Sequence, residues 1–178
     1  GNGVLFVGRL SPEKGIEMLL EAWRRSGLGE IRHTLSIAGD GQLRPVVEAA
    51  AAADPSIRYL GFLNRQELDH SFQSCALVCV PSICREADPV AVASALAHGR
   101  PVIATKLGAM STSIDDEVGW LTEPSAASLA AGLQVATEDR EALKGRGAGA
   151  RRRYNLNRAL GAERSLAMVY RRMLGRSV

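Results

Sequence analysis

The stretch Pro81–Gly99, PSICREADPVAVASALAHG, and the apolar run Ala76–Val80 before it decide the fold of this chain. Such an apolar run is typical of a fully buried strand in a parallel sheet. A polar loop follows, and then an Ala- and Val-rich segment that begins with a proline and stops at a glycine, as helices commonly do. The loop that carries Arg85, Glu86 and Asp88 is therefore expected between a strand end and a helix start. Open α/β sheets bind ligands at such loops, where free N–H groups favour phosphates.

Strand-like and helix-like segments alternate along the chain, which predicts βαβ units and an α/β fold with one parallel sheet. The predicted strands are Val4–Val7, Leu35–Ala38, Ile57–Leu60, Ala76–Val80 and Pro101–Ala104, and a loop then leads to Gly119–Leu121. Near the carboxyl terminus, Gly145–Gly149 is typical of a helix terminus or a hinge, and Leu160–Leu174 is predicted as a last amphipathic helix. No internal domain boundary is evident, so the 178 residues are expected to form one domain.

The composition limits the class of protein further. With 46% hydrophobic residues the chain can bury a sizeable core, and no apolar run reaches membrane-spanning length. The first residues lack a starting Met and lead straight into an apolar run, which suggests a piece of a longer protein. An odd number of cysteines, Cys75, Cys79 and Cys84, favours reduced thiols in a cytoplasmic protein. These thiols have no evident partners that would complete a metal site, so no metal is expected.

Positive charge is concentrated at the carboxyl end of the chain. From Arg151 onward there are eight arginines and a single acid, Glu163, a net charge of +7 in a chain whose total is +3. One interpretation is a solvated helix face. The other is a surface that docks onto an anionic partner, either a further domain or a lipid headgroup layer at the inner face of a membrane. Aromatic residues for base stacking are scarce, so a nucleic-acid partner is not expected.

The loop after the first predicted strand carries candidate ligand-binding residues. Gly8 allows a ligand to approach the backbone closely, and Arg9 and Lys14 are spaced so that both can converge on one polyanion. The alternative is that both cations are only solvated. The loop lacks the Gly-Lys-Ser/Thr of a P-loop, so ATP hydrolysis of that type is not expected. Gly39–Gly41, after the second strand, could approach a phosphate or simply turn the chain.

Two later loops complete the set of candidates. Glu86 and Asp88 could accept hydrogen bonds from sugar hydroxyls, or they could be exposed acids paired with Arg85. Gly108 and Ala109, which follow the fifth predicted strand, form another turn that a ligand could approach closely. The histidines do not combine with a serine or cysteine into a recognisable nucleophile set.

In their order and spacing, several segments resemble the carboxyl-terminal domain of retaining GT-B glycosyltransferases of group 1 (GT4). The segments are Val7–Leu10, Glu13–Gly15, Ile37–Gly41, Tyr59–Phe62, Val80–Ser82, Arg85–Ala87 and Ala95–Ala104. The resemblance covers nearly the whole chain. It implies a Rossmann-like, three-layer α/β/α domain over residues 1–178, one half of a GT-B fold. It also implies a nucleotide-diphosphate sugar (UDP- or GDP-sugar) as donor substrate, with no cofactor required. The acceptor would bind a separate amino-terminal domain, on which a terminal helix at about residues 158–174 would dock.

The resemblance also implies roles for individual residues. Arg9 and Lys14 match the pair that holds the donor diphosphate and stabilises charge on the leaving nucleotide, and Glu86 matches a glutamate that contacts the transferred sugar. These three residues are the implied catalytic groups. The other residues implied to contact the donor nucleotide sugar are Gly8, Gly39, Gly61, Phe62, Leu63, Pro81, Ser94, Gly108 and Ala109.

Three positions depart from the family pattern. Ser94 stands where a second glutamate usually grips the ribose, Ala109 replaces a glycine, and Thr112 stands where another glutamate is common. Losing a hydrogen bond to a charged group costs about 1.5–3 kcal/mol, roughly ten- to a hundredfold in affinity. Two alternatives therefore stay open beside a transferase: a non-catalytic nucleotide-binding or interaction module, and a GT-B epimerase or phosphorylase. The isolated chain is expected to be inactive because the acceptor side would be missing.

Overall fold

The computed structural model describes residues 3–85 and 90–173, and for residues 161–173 it describes the backbone alone. The strands are β1 (Gly3–Val7), β2 (Thr34–Ala38), β3 (Ile57–Gly61), β4 (Leu77–Val80), β5 (Val102–Thr105) and β6 (Gly119–Thr122). They form one sheet in the order β3-β2-β1-β4-β5-β6, and every neighbouring pair is parallel. The predicted parallel α/β fold is therefore confirmed, and each predicted strand agrees with an observed one to within one residue at either end.

Helices cover both faces of the sheet. They are α1 (Ile16–Ser26), α2 (Arg44–Ala53), α3 (Arg65–Ser74), α4 (Val90–Ala97), α5 (Met110–Ser113), α6 (Ala126–Glu138) and α7 (Arg140–Met173). A single 3₁₀ turn, Pro12–Lys14, precedes α1. Among the described residues, none of these helices has the length and hydropathy needed to cross a bilayer.

Two hydrophobic cores lie on opposite faces of the sheet because side chains alternate along each strand. Val4 and Phe6 of β1 point into the core shared with α1, α2 and α6. Leu5, between them in sequence, points into the core shared with α3, α4 and α7. Strands β4 and β5 are buried at every residue, which explains why they appear in the sequence as continuous apolar runs. The three cysteines are free; Cys75 and Cys79 are buried in these cores, and burial raises the pKa of Cys75 to about 11.

The last helix corrects a prediction. Gly145–Gly149 is neither a helix terminus nor a hinge, because α7 is one helix from Arg140 onward and passes straight through these residues. The glycines are there for close packing: a Cβ on Gly149 would lie 2.1 Å from the carbonyl oxygen of Glu117, and one on Gly147 would lie 2.9 Å from that of Gly99. Without side chains, this turn of α7 can press against the backbone of two loops.

Part of the basic excess of the carboxyl-terminal segment is used inside the domain. The Arg153 guanidinium lies 2.7 Å from an Asp115 carboxylate oxygen and 3.0 Å from one of Glu117. Arg152 lies 3.0 Å from the other Glu117 oxygen, and Arg151 donates to the carbonyl of Ala97. Hydrogen bonds from Arg153 lower the pKa of both carboxyls. These contacts attach α7 to the loop before β6 and to the end of α4.

Candidate functional site

The sheet has a topological switch point between β1 and β4. From β1, strands β2 and β3 are added on one side of the sheet. The chain then crosses over to β4, and β5 and β6 are added on the other side. The loops after β1 and β4 therefore diverge and leave a crevice at their carboxyl ends, the usual ligand site of open α/β sheets. The loop after β1 spans residues 8–15, and the described part of the loop after β4 spans residues 81–85.

The two loops at the switch point touch through their backbones. The Ile83 N–H donates to the carbonyl of Glu13 at 2.9 Å. Gly15, with φ +71°, faces Pro81 so closely that a Cβ on it would lie 2.0 Å from the Pro81 carbonyl oxygen. On the far side, the Thr105 hydroxyl at the end of β5 donates to the carbonyl of Ser82. The position of the first loop is therefore fixed by the second, which is fixed in turn by β5.

The turn after β2 braces the first loop from its other side. The Gly8 N–H donates to the carbonyl of Ala38 at 3.1 Å, and the Leu10 N–H donates to that of Asp40 at 2.9 Å. A Cβ on Gly39 would lie 1.8 Å from the Gly8 carbonyl oxygen, so only glycine fits there. The Tyr59 hydroxyl of β3 donates to the Gly39 carbonyl at 3.1 Å. Gly39 thus acts on the first loop through backbone contact.

Both candidate cations lie on this braced loop, on either side of one carboxylate. Arg9 is exposed and Lys14 is half-buried in the 3₁₀ turn. Between them, Glu13 accepts a hydrogen bond from the Ser11 hydroxyl at 2.6 Å. That bond, the Glu13 backbone N–H and the charges of Arg9 and Lys14 hold the pKa of Glu13 below its usual range. Helix α1 begins directly afterwards, so its free N–H groups add positive potential at the same end of the loop.

The remaining candidates lie on neighbouring loops of the same sheet edge. Gly61, with φ +66°, ends β3, and Phe62 beside it is 82% exposed, with Leu63 half-buried. After β5, Gly108 has φ +54° and Ala109 precedes the short helix α5.

Thr112, on α5, uses its hydroxyl locally. Its Oγ1 donates to the Ala109 carbonyl at 3.1 Å. The side chain at this departure from the family pattern is thus engaged within the loop that carries Gly108.

Of the candidates Ser94, Glu86 and Asp88, only Ser94 lies among the residues that the structure describes. Ser94 is half-buried on α4, and its carbonyl accepts hydrogen bonds from the His98 N–H and, at 2.8 Å, from His98 Nδ1. Glu86 and Asp88 lie outside the described residues, so their predicted roles stay predictions. Arg85, the last described residue of the loop, is exposed.

The sequence missed three groups that position this site: the Glu13 carboxylate, the Thr105 hydroxyl and the Tyr59 hydroxyl. Thr105 and Tyr59 each donate to a carbonyl of another loop, whereas the Glu13 carboxylate is bonded to Ser11 within its own loop. Only the position of Glu13 between two cations offered a signal. Within residues 3–85 and 90–173, no group of three or more His, Cys, Asp or Glu side chains is arranged to hold a metal ion.

A family model described as "Glycosyl transferases group 1" matches residues 1–139. The chain belongs to this family. It is 32% identical over 141 residues to an uncharacterised glycosyltransferase of Methanocaldococcus jannaschii, covering 76% of this chain and 36% of the relative. It is also 32% identical over 163 residues to the phosphatidyl-myo-inositol mannosyltransferase of Mycobacterium leprae, covering 87% of this chain and 43% of the relative. This group 1 glycosyltransferase chain thus spans less than half the length of either curated relative.

Solved structures of similar fold agree with this assignment. The sucrose-phosphate synthase from Thermosynechococcus elongatus superposes with a TM-score of 0.78 and 25% identity, covering 98% of this chain and 46% of that one. The Anabaena protein HepE in complex with UDP-glucose superposes with a TM-score of 0.74 and 23% identity, covering 88% of this chain and 44% of that one. The expected resemblance to group 1 glycosyltransferases and the Rossmann-like α/β/α architecture of a GT-B domain are both confirmed.

Proposed function

We propose that this group 1 glycosyltransferase chain binds a nucleotide-diphosphate sugar and forms the donor half of a retaining hexosyltransferase. The observation that carries the proposal is the loop after β1. It places Arg9 and Lys14 at the switch point of the sheet, beside the start of α1. A pyrophosphate needs two cations and free N–H groups at one place, and this loop offers both.

The loop also suits the chemistry of sugar transfer. Negative charge grows on the leaving diphosphate as the bond to the sugar breaks, and fixed cations stabilise that charge without reorganising. Contacts with Pro81 and Ile83 hold the loop in place before substrate arrives. In this assignment Glu13, which lies between the two cations in sequence, has its carboxylate bound by the Ser11 hydroxyl.

The other loops of the same edge would contact the remaining parts of the donor. Phe62, exposed at the end of β3, offers a flat apolar face to the nucleobase. Ser94 would reach the ribose, and Gly108 would allow the sugar and phosphates to approach the backbone after β5. Glu86 would contact the transferred sugar.

Uridine is the first base to test, with guanosine second, because the similar fold of HepE was solved with UDP-glucose. We assign no metal or cofactor to the reaction. A cytoplasmic location is part of the proposal. The acceptor, which for one relative is a phosphatidyl-myo-inositol by its name, would bind a separate amino-terminal domain. The far end of α7, from about residue 158, would dock there, so this chain alone would not transfer sugar.

Removing the two cations tests the proposal. UDP is titrated calorimetrically into the chain and into Arg9→Ala and Lys14→Ala. Each substitution removes a charged contact and is expected to weaken binding ten- to a hundredfold. Arg24→Ala is the matched control, because it removes one exposed positive charge from the opposite end of α1, where Arg24 is paired with Glu21. Equal affinity in Arg9→Ala, Lys14→Ala and the control would contradict the diphosphate assignment.

A second candidate is a nucleotide-binding module without transferase activity. Ser94 favours it, because a serine cannot act as the charged bidentate acceptor for a ribose. The two candidates can be distinguished in a chain extended by its acceptor domain. In the presence of UDP-sugar and acceptor, the transferase forms free UDP as a product. The module binds UDP but forms none from the UDP-sugar.

A further inference from the structure

A cavity of about 890 Å³ lies at the amino edge of the sheet, opposite the edge that carries the candidate donor site. Its floor consists of residues directly before strands: His33 precedes β2, Ala76 precedes β4 and Pro101 precedes β5. Parallel strands all begin at one edge, so these residues meet there although they are far apart in sequence. The outer wall is the first three turns of α7. The volume falls in the range of small-molecule binding sites.

The cavity is lined by basic side chains and by no acidic one among the residues that the structure describes there. The basic residues are His33, His98, Arg100, Arg140, Lys144 and Arg151. The three from α7 recur at helical spacing and so share one face of that helix. The amino end of α7 adds the positive end of a helix dipole. Asp139 is close by, but its carboxylate caps α7 by accepting from the N–H groups of Glu141 and Ala142 at 3.0 and 2.9 Å.

Two carboxylates lie beside the cavity and contact basic side chains that line it. An Asp69 carboxylate oxygen lies 3.2 Å from His98 Nε2. A Glu141 carboxylate oxygen lies 2.8 Å from Lys144 Nζ, in a pair that is exposed on both sides. An exposed pair is easily broken, so the ammonium of Lys144 can turn to a stronger anion in the cavity.

Two of the arginines that line the cavity donate to carbonyl groups. Arg100 donates to the carbonyl of Gln73, and Arg151 donates to that of Ala97. A carbonyl positions a guanidinium but carries no full charge, and neither arginine pairs with a carboxylate among the residues that the structure describes. In addition, Arg100 Nε is buried and has no hydrogen-bond partner among the described residues.

We propose that this cavity is a second anion site, which binds a phosphate-bearing molecule. Guanidinium groups match phosphate in geometry as well as charge, and the cavity offers several in a partly enclosed space. The source of the phosphate is either a soluble phosphorylated molecule or the headgroup of an anionic phospholipid. The strands between the two edges have four or five residues, which separates this site from the donor loops by about 15 Å. The proposal therefore stands independently of the proposed donor function.

The test uses inorganic pyrophosphate and a chain in which the donor loop has been disabled by Arg9→Ala and Lys14→Ala. In that background, calorimetric titration is expected to detect one pyrophosphate per chain. Adding Arg140→Ala and Lys144→Ala should weaken this binding at least tenfold. Both residues are exposed, so the fold should be retained, and a thermal melt verifies it.

The control removes the same number of charges outside the cavity. Arg24→Ala with Arg152→Ala, in the same background, is expected to leave pyrophosphate affinity unchanged within about twofold. Arg152 is next to Arg151 in sequence, but its side chain does not line the cavity and pairs with Glu117 of the loop before β6. Equal weakening of pyrophosphate binding in the control and in the cavity variant would overturn the proposal. So would failure of pyrophosphate to bind the Arg9→Ala/Lys14→Ala background, unless that chain binds anionic vesicles.

Vesicles distinguish the two sources of phosphate. Cosedimentation is measured with phosphatidylcholine vesicles that contain or lack phosphatidylglycerol. Binding to the anionic vesicles that is lost in the Arg140→Ala/Lys144→Ala variant supports a headgroup site. Pyrophosphate binding without vesicle binding supports a soluble ligand. Binding to neither, or vesicle binding that the cavity variant retains, contradicts a phosphate site here.

Discussion

Replacing Gly15 by alanine should damage the switch point in a way that can be separated from ordinary backbone strain. Gly15 has φ +71°, a conformation that costs a residue with a Cβ about 1–2 kcal/mol. The new Cβ would in addition lie 2.0 Å from the carbonyl oxygen of Pro81. Relieving that overlap requires the loops after β1 and β4 to move apart, at a cost of about 1–3 kcal/mol. The total loss of stability is therefore about 2–5 kcal/mol.

Gly27→Ala is the matched control for this substitution. Gly27 has nearly the same backbone conformation, φ +65°, but a Cβ there meets nothing within 4 Å. The free energy of unfolding of Gly27→Ala should fall only by the cost of the backbone strain, about 1–2 kcal/mol. Urea denaturation of both variants isolates the clash, and UDP titration measures its effect on the site. Gly15→Ala should bind at least tenfold more weakly, since Lys14 moves with the loop, and Gly27→Ala should bind normally. Equal stability and equal affinity in the two variants would mean that Gly15 is not in close contact with the Pro81 carbonyl.

Three further predictions concern α7, α4 and acid stability. A Cβ on Gly145 meets nothing, so Gly145→Ala should stabilise the chain by about 0.5–1 kcal/mol through helix propensity. Gly149→Ala should destabilise it by about 1–3 kcal/mol, because its Cβ would overlap the Glu117 carbonyl. If thermal melts showed that both variants are destabilised, α7 would not be continuous there. Ser94→Glu should tighten UDP binding about tenfold if Ser94 faces the ribose, and weaker binding in calorimetry would place the ribose elsewhere. Because Arg153 lowers the folded-state pKa of Asp115, their ion pair stabilises the fold at neutral pH and this contribution is lost as the pH falls below about 4. Arg153→Ala should therefore lose at most about 1 kcal/mol at pH 7 and progressively less as the pH is lowered below about 4, and a loss that does not shrink with falling pH would contradict the linkage.

The features that could be predicted from the sequence are those that a local pattern encodes. β4 and β5 are buried on both faces, so their apolar runs in the sequence are unbroken. A ligand loop at Gly8, directly after β1, is predictable because the strand ends of a parallel sheet share one edge.

The rest depends on contacts between distant backbones. Nothing local reveals that Gly39 packs against the Gly8 carbonyl, or that Gly15 packs against Pro81. Gly147 and Gly149 inside α7 suggest a helix end from the sequence alone, because the backbone groups that they pack against belong to distant loops. The basic cavity is built from separate segments, and no single one of them is notable alone.

Titration of the chain with UDP, GDP, ADP and dTDP in parallel tests whether the β1–β4 switch point binds a donor nucleotide. One of them, with UDP or GDP favoured, should bind at micromolar to sub-millimolar strength, roughly −5 to −8 kcal/mol. Binding should be lost when Arg9 and Lys14 are both replaced by alanine. Failure of all four nucleotides to bind this chain, and again to bind a chain that includes the acceptor domain, would contradict a donor site at the β1–β4 switch point.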